Sequence, residues 1–206
     1  MKKSICFICV LFSVIAGGFC QQTTIEDVFS TLMTDRVTSG DFIQEKNAAK
    51  LKRPLRSSGK FIFCDEGILW QTLKPFPSTM AVTKTSIIQT KADGSKTVTD
   101  GSSNQVFTSV AETLSSIFCG DKTKLESFFN IKDFKADSKN WSVLLTPKDS
   151  TIASALKEIE LSGSVGKKST LDNLKIFQGE TDSTFYTLLN QQYRQELSNE
   201  EKSFFK

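Results

Sequence analysis

Histidine is absent from all 206 residues of this sequence. The chain therefore lacks the commonest general base and the commonest transition-metal ligand of proteins. It also lacks a G-x-S-x-G motif, the turn that presents the serine nucleophile in many hydrolases. These absences predict a protein that is not an enzyme and that holds neither a metal nor a cofactor. Serine–lysine or paired-carboxylate chemistry is compatible with the composition, so an exported hydrolase is kept as an alternative.

The sequence has little excess of either charge, with 26 lysine and arginine residues against 23 aspartate and glutamate residues. It contains no arginine-rich stripe with interleaved aromatic residues, which argues against a nucleic-acid partner. The short basic cluster at Lys50–Arg53 indicates a solvated hairpin loop. An alternative interpretation is a docking patch for an acidic partner.

Long apolar runs are missing too, apart from one at the amino terminus. Two lysines precede an apolar run from Ile5 to Ala16, which has the length of a signal-peptide core and is short for a membrane span. Residues 1–20 are therefore predicted to be an export signal, cleaved between Cys20 and Gln21. In the alternative, Cys20 is a lipid-modified first residue that anchors the protein. Either way, we expect the protein to leave the cytoplasm.

Removal of this signal leaves two of the five cysteines, Cys64 and Cys119. An oxidising compartment would permit a disulfide between them, but two buried free thiols are the preferred interpretation because the sequence does not place them together. The length of the remaining chain indicates one domain. We expect this domain over residues 21–190, followed by a polar tail over residues 191–206, in a monomeric protein.

Apolar and polar residues alternate between Gly40 and Thr83, which is typical of strands with one buried and one solvated face. The residues predicted to face inward are unusually bulky. They are Phe42, Phe61, Phe63, Ile68, Trp70 and Phe76. A sheet with such a face has to be covered by other elements of the chain.

The periodicity changes along the chain between helical and extended patterns. It predicts an amino-terminal helix over Thr23–Val37, a polar connection over residues 47–58, a helix over Asn104–Cys119 and further helical turns over Lys122–Phe129. Eleven extended segments, of which residues 97–99 are the shortest, indicate about nine or ten antiparallel strands. They cover residues 41–46, 60–64, 68–74, 79–84, 86–91, 97–99, 131–136, 141–146, 156–161, 171–177 and 183–189.

This order of elements predicts an α+β protein that is mostly antiparallel β. We expect one strongly curved sheet whose concave apolar face is covered by the helices. If the helical cover can move, an apolar trough opens that suits acyl chains. From periodicity alone, however, the same residues are explained by an ordinary core, and that interpretation is preferred at this point.

Several short motifs resemble the LolA-like family of outer-membrane lipoprotein carriers. They are Phe42 with Gln44, Ser57-Ser58-Gly59-x-Phe61, Leu69-Trp70, Pro75-Phe76-Pro77, Trp141-x-Val143-x-Leu145-x-Pro147-Lys148 and Ile159-x-Leu161. The likeness extends over most of the chain after the signal. Its specificity comes from the order and spacing of the motifs together, since no single motif is decisive.

The resemblance implies a half-open β-barrel with a helical lid over an apolar cavity, in a periplasmic carrier that performs no covalent chemistry. Its cargo would be the acyl chains of lipoproteins or other lipids, received from an inner-membrane ABC release complex and passed to an outer-membrane acceptor. A lipidated Cys20 would instead make the protein a membrane-anchored acceptor. The residues implied for the cavity are Phe42, Phe61, Phe63, Ile68, Trp70, Val82, Trp141, Val143 and Leu145. Those implied for the lid helix are Val106, Phe107, Val110, Leu114, Ile117 and Phe118.

One departure from the family concerns how the lid is held. The family's arginine that grips the lid would lie on the strand from Cys64 to Trp70, where this sequence has no arginine. Arg53 and Arg56 lie a strand too early to replace it. A disulfide between Cys64 and Cys119, or simple packing of the two, is therefore hypothesised to restrain the lid.

Overall fold

The computed structural model describes residues 23–32, 35–83, 85–100 and 122–206, with the side chain of residue 151 excepted. Within these ranges the chain forms four helices and eleven strands. The helices are α1 (Ile25–Leu32), α2 (Lys122–Phe128), α3 (Ser150–Ala155) and α4 (Asn199–Ser203). The strands are β1 (Val37–Asn47), β2 (Leu55–Cys64), β3 (Gly67–Lys74), β4 (Ser78–Val82), β5 (Ser86–Lys91), β6 (Lys96–Asp100), β7 (Phe129–Ala136), β8 (Asn140–Pro147), β9 (Glu158–Ser164), β10 (Asn173–Phe177) and β11 (Ser183–Arg194).

All eleven strands belong to one antiparallel sheet in the order β6-β5-β4-β3-β2-β1-β11-β10-β9-β8-β7. Two meanders, β1 to β6 and β7 to β11, are joined where the first and last strands pair. The two end strands, β6 and β7, do not pair with each other, so the sheet stays unclosed. This arrangement confirms the predicted α+β class and the half-open barrel.

The sheet is strongly curved, as the side chains of β3 and β11 show. These strands are three steps apart in the sheet, which is about 14 Å in a flat sheet. The rings of Trp70 on β3 and Tyr186 on β11 nevertheless meet with their centroids 4.8 Å apart. The strands must therefore bend toward each other on the face that carries these rings, which we call the inner face.

The inner face carries the larger of two apolar clusters, the inner cluster. Its buried members are Val28, Phe29, Leu32, Phe42, Phe61, Phe63, Ile68, Val82, Leu125, Phe129, Trp141, Val143, Leu145, Ile152, Leu156, Ile159, Leu161, Leu171, Leu174 and Leu188. The residues come from both meanders and from the helices α1, α2 and α3. The two halves of the sheet therefore share one core.

A smaller outer cluster lies on the opposite face, where alternate residues of β1 to β5 point. It consists of Val37, Ile62, Cys64, Leu69, Ala81, Ile88 and Leu197, with Phe204 and Phe205 packed against it. The carboxyl-terminal segment thus covers the outer face of the first meander, as α1 covers the inner face.

The structure corrects several predicted boundaries. The first helix ends at Leu32 within the described residues, and Val37 begins β1 instead of ending the helix. Strand β2 begins at Leu55, inside the segment predicted as a polar connection. Strand β11 extends beyond its predicted end at residue 189 to Arg194, and α4 follows it with a complete capping box between Ser198 and Glu201.

Candidate functional site

The inner face of the first meander is lined by aromatic rings in mutual contact. Phe42 lies 4.4 Å from Trp70, Phe61 lies 4.9 Å from Phe63, and Tyr186 meets Trp70 edge to face, all measured between ring centroids. Tilted and edge-to-face geometries of this kind are favourable for aromatic pairs. The rings form a continuous apolar surface from β3 across to β11.

The structure brings all nine predicted cavity residues together in or against the inner cluster. Eight of them are buried: Phe42, Phe61, Phe63, Ile68, Val82, Trp141, Val143 and Leu145. The ninth, Trp70, is half-buried and packs against the others. Whether these residues bind a ligand stays a prediction, since the same packing also serves as a core.

Helix α1 packs into the inner cluster on the side of the second meander. Its apolar stripe turns Val28, Phe29 and Leu32 into the inner cluster, each at most 4% exposed. The ring of Phe29 lies edge-on to Trp141, with centroids 6.3 Å apart. The hydroxyl of Thr31 lies 2.8 Å from the hydroxyl of the buried Ser169, in the connection between β9 and β10. The helix therefore touches the sheet mainly through three apolar side chains and one hydroxyl pair.

An exposed ion pair links α1 to α2. Lys122 lies 2.9 Å from Glu26 and 3.0 Å from Glu126, and these hydrogen bonds raise the pKa of Lys122. The bond to Lys122 lowers the pKa of Glu26. Because exposed ion pairs contribute little stability, apolar packing must supply most of the hold on α1.

The inner face is electrostatically neutral. Among the described residues, the buried polar side chains are Thr38, Ser169 and Thr184, and no charged side chain is buried. Burial raises the pKa of Tyr186 to about 12. Within the described ranges, the indole nitrogen of Trp70 is buried with no hydrogen-bond partner, whereas the indole nitrogen of Trp141 donates to the carbonyl of Thr170 at 2.9 Å.

Three cavities in the described part of the chain lie away from this aromatic surface or only border it. The largest, about 510 Å³, lies between the outer side of β1 to β3 and the carboxyl-terminal segment, and residues such as Lys60, Asp41 and Arg194 line it. The other two, of about 390 Å³ and 200 Å³, have mostly polar linings.

Other predicted site residues lie outside the described ranges. These are the lid residues Val106, Phe107, Val110, Leu114, Ile117 and Phe118, the cleavage position at Cys20 and Gln21, and Cys119. The lid and the signal therefore stay predictions. Among the described residues, no helix is long and apolar enough to cross a membrane, and no group of three or more carboxylate or thiol side chains could hold a metal ion.

The hypothesis that Cys64 restrains the lid through a disulfide is not supported. Cys64 is a free thiol in the outer cluster, on the face opposite the one the lid would cover. Its sulfur lies 3.4 Å from the carbonyl of Gly67, to which it donates, and burial raises its pKa to about 12. We therefore do not propose the bridge to Cys119.

Phe76 does not belong to the inner face, although the sequence placed it there. It is 81% exposed, because β3 ends at Lys74 and the Pro75–Pro77 turn carries the ring beyond the sheet. Conversely, Tyr186 packs against the inner cluster but was not predicted to lie there. The alternation of Thr184, Tyr186 and Leu188 along β11 is the signal that could have identified it.

Comparisons with known proteins agree on the architecture. Residues 20–193 match the family described as "Outer membrane lipoprotein carrier protein LolA-like". Among curated proteins, none matches this sequence. A DUF1329 family protein from Desulfovibrio piger superposes with a TM-score of 0.52 at 12% sequence identity, over 88% of this chain and 94% of that one. At this identity the likeness concerns the fold alone.

Two further solved structures are more distant. A LolA superfamily protein from Nitrosomonas europaea gives a TM-score of 0.46 at 9% identity, over 88% of this chain and 95% of that one. An outer membrane lipoprotein-sorting protein domain from Vibrio parahaemolyticus gives a TM-score of 0.38 at 10% identity, over 82% of this chain and 92% of that one.

Proposed function

The chain belongs to the LolA-like family of outer membrane lipoprotein carrier proteins, and from this premise we propose that it binds the acyl chains of lipoproteins or related lipids on its inner face. The observation that carries the proposal is the aromatic surface between β3 and β11, which is apolar and free of buried charge among the described residues. Acyl chains need burial and no directed hydrogen bonds, so such a surface suits them.

Aromatic rings in mutual contact fit a carrier that must release its cargo. Each buried methylene group is worth about 0.8 kcal/mol, so one sixteen-carbon chain offers roughly 12 kcal/mol. Several chains would exceed the practical limit of about 20 kcal/mol for non-covalent binding. Separating Phe42, Trp70 and Tyr186 from one another to admit a guest costs part of this energy. The net affinity is then low enough for the cargo to be handed on.

The proposed opening involves the helices on the inner face. Helix α1 is held mainly by three apolar side chains, and short covers with few contacts have low local stability. The predicted helix over residues 104–119 would complete the cover with its apolar stripe. Movement of either helix would expose the aromatic surface to an incoming chain.

The transport route is the finer part of the proposal. The predicted export signal over residues 1–20 would take the protein to the periplasm. There it would receive cargo from an inner-membrane ABC release complex and pass it to an outer-membrane acceptor. If Cys20 is lipid-modified instead, the protein is itself the anchored acceptor. The intact mass of the exported protein distinguishes the two, because acylation adds several hundred daltons.

We propose that no covalent chemistry accompanies transport. The alternative of an exported hydrolase requires a nucleophile or acid–base pair near the acyl chain. Release of fatty acid from acyl esters by the purified protein would favour that alternative.

The proposal is tested by native mass spectrometry of protein purified without detergent, followed by delipidation and rebinding of a fluorescent fatty-acyl probe. Bound lipid and probe uptake are expected for the wild type. Met80→Trp, at a half-buried position packed against the inner cluster, should reduce uptake by occupying the space of the guest. Ile43→Trp, at a position 43% exposed, is the matched control and should leave uptake unchanged. Delipidated wild-type protein that takes up no probe would refute the carrier.

A further inference from the structure

The indole nitrogen of Trp70 is a buried polar atom on the inner face, and it finds no hydrogen-bond partner in the part of the chain that the structure describes. Buried indole nitrogens are normally hydrogen-bonded, and an unsatisfied one in a native structure requires an explanation. The other tryptophan obeys the rule, because Trp141 donates to a backbone carbonyl.

A second donor lies beside it. The ring of Tyr186 meets Trp70 edge to face at 4.8 Å, and among the described residues no hydrogen bond to its hydroxyl is found. Burial holds this hydroxyl in its protonated form. An indole N–H can only donate, and a protonated phenol donates readily. The surface proposed to receive acyl chains therefore carries one buried donor without a partner and, beside it, a tyrosine for whose hydroxyl no hydrogen bond is found among the described residues.

The neutral surroundings restrict which acceptor these donors can take. No charged side chain is buried among the described residues, so a carboxylate entering this surface would meet no cation. Burial of an unpaired carboxylate is far more costly than burial of a neutral carbonyl that accepts a hydrogen bond. A plain hydrocarbon would leave the indole nitrogen of Trp70 unsatisfied.

From these observations, and resting on the proposed function, we infer that Trp70 and Tyr186 form a subsite for the neutral carbonyl of an acyl ester or acyl amide. The subsite selects acyl chains that are attached to a larger molecule over free fatty acids and over alkanes. It places the carbonyl of the cargo at β3 and β11, and the alkyl chain along the remaining aromatic and aliphatic residues of the inner face.

The test compares the affinities of the delipidated full-length mature protein for four probes of matched chain length: methyl laurate, N-methyl lauramide, laurate and tetradecane. The wild type is expected to prefer the ester and the amide over the alkane and the carboxylate. The preference between ester and amide tells whether glycerol esters or N-acyl groups are the better source of the carbonyl. Trp70→Phe should reduce the ester-to-alkane preference about threefold to tenfold, the worth of one hydrogen bond.

Tyr193→Phe is the matched control. It removes a hydroxyl that is already hydrogen-bonded to Gln191 at 3.1 Å and that does not belong to the inner cluster, so the ester-to-alkane preference should stay unchanged. Tyr186→Phe should act in the same direction as Trp70→Phe. If the ester-to-alkane preference is unchanged in both Trp70→Phe and Tyr186→Phe, the proposed carbonyl subsite is refuted, but the proposed binding of acyl chains is not. A wild type that binds none of the probes overturns the carrier and the subsite together.

A measurement on the unmutated protein tests the hydrogen bond from Trp70 even if the Trp70→Phe variant does not fold. In protein with ¹⁵N-labelled indole groups, the two tryptophans give two indole signals, and Trp141→Phe assigns them. The Trp70 signal should move to the hydrogen-bonded range with methyl laurate and not with tetradecane. Equal responses to the two probes would refute the hydrogen bond.

Discussion

The ring of Phe42 lies directly over the backbone of Gly59, its partner across the β1–β2 pair. A Cβ atom added to Gly59 would approach the Phe42 ring to 2.9 Å and the carbonyl oxygen of Gln71 to 1.9 Å. Real Cβ atoms do not make contacts this short. The absence of a side chain at Gly59 is therefore what allows Phe42 to lie flat on the sheet and reach Trp70.

Gly59→Ala is consequently expected to destabilise the protein by at least about 3 kcal/mol, because the backbone of β3 cannot move away as a flexible side chain could. Denaturant unfolding followed by fluorescence measures the change. Gly179→Ala is the control, since a Cβ there would meet its nearest neighbour at an ordinary 3.9 Å. Similar stabilities for the two variants would show that Phe42 does not need this close approach.

The alternation of the sequence was sufficient to predict the aromatic side of the first meander, because each strand there has one apolar and one polar face. It failed for Arg56 to Ser58 at the start of β2, whose side chains are polar on both faces at the end of a long hairpin. It failed for Phe76 because hydrophobicity does not reveal that a strand has ended. The packing of the carboxyl-terminal segment on the outer face was not predicted, although Ser198 and Glu201 have the spacing of a capping box.

The pairing of the two meanders could not be predicted from the sequence. It depends on β1 and β11, which are separated by most of the chain and are held in register by backbone hydrogen bonds. Such hydrogen bonds leave no mark on residue type. The meeting of Trp70 with Tyr186 follows from this pairing, so the second half of the proposed subsite was also beyond sequence reasoning.

Alkaline pH should destabilise the protein through Tyr186. Burial raises its pKa from 10.0 to about 12, so the unfolded chain releases this proton before the folded protein does. The contribution of Tyr186 to the free energy of unfolding is therefore fully present below pH 10, and it is lost as the pH rises from 10 to 12. The loss from this group should reach up to about 2 kcal/mol.

Denaturant unfolding between about pH 8 and about pH 12 tests this linkage. Tyr186→Phe should have a flatter stability profile than the wild type over that window. The pKa of Tyr193, the other tyrosine, is also raised, mainly by burial, so Tyr193→Phe shows how much of the profile it contributes. Identical profiles for Tyr186→Phe and the wild type would contradict the buried phenol.

Acid should weaken the attachment of the carboxyl-terminal segment to the outer face, because it protonates Glu201. Arg194 donates two hydrogen bonds to this carboxylate, at 3.0 Å and 2.8 Å, and the backbone nitrogen of Ser198 donates a third at 2.7 Å. The bonds from Arg194 are the largest cause that lowers its pKa from 4.5 to about 2. The folded protein therefore keeps this charge longer than the unfolded chain as the pH falls. The resulting stability is present above pH 4.5 and is lost toward pH 2.

Glu201→Gln should lower the free energy of unfolding at neutral pH by about 1–2 kcal/mol, less than the full pKa shift would give because the pair is partly exposed. The difference from the wild type should shrink as the pH falls toward 2. Glu200→Gln, at the neighbouring exposed position of α4, is the control and should change little. A deficit of Glu201→Gln that is constant with pH would mean that the charge of Glu201 is not what secures α4.

The movement of α1 can be tested by fixing the helix to the sheet. Thr31 on α1 and the buried Ser169 have hydroxyl oxygens 2.8 Å apart, so cysteines at both positions should form a disulfide on oxidation. In a Cys119→Ser background, the reduced double variant should take up a fatty-acyl probe as the wild type does. The oxidised form should take up the probe at background level, because α1 can no longer leave the inner face. Reductant should restore uptake, and the single variants Thr31→Cys and Ser169→Cys should respond to neither treatment. If a protein with the disulfide confirmed by mass spectrometry still takes up probe at the unmodified rate, the acyl chain enters without displacement of α1, and the helix is a fixed part of the core.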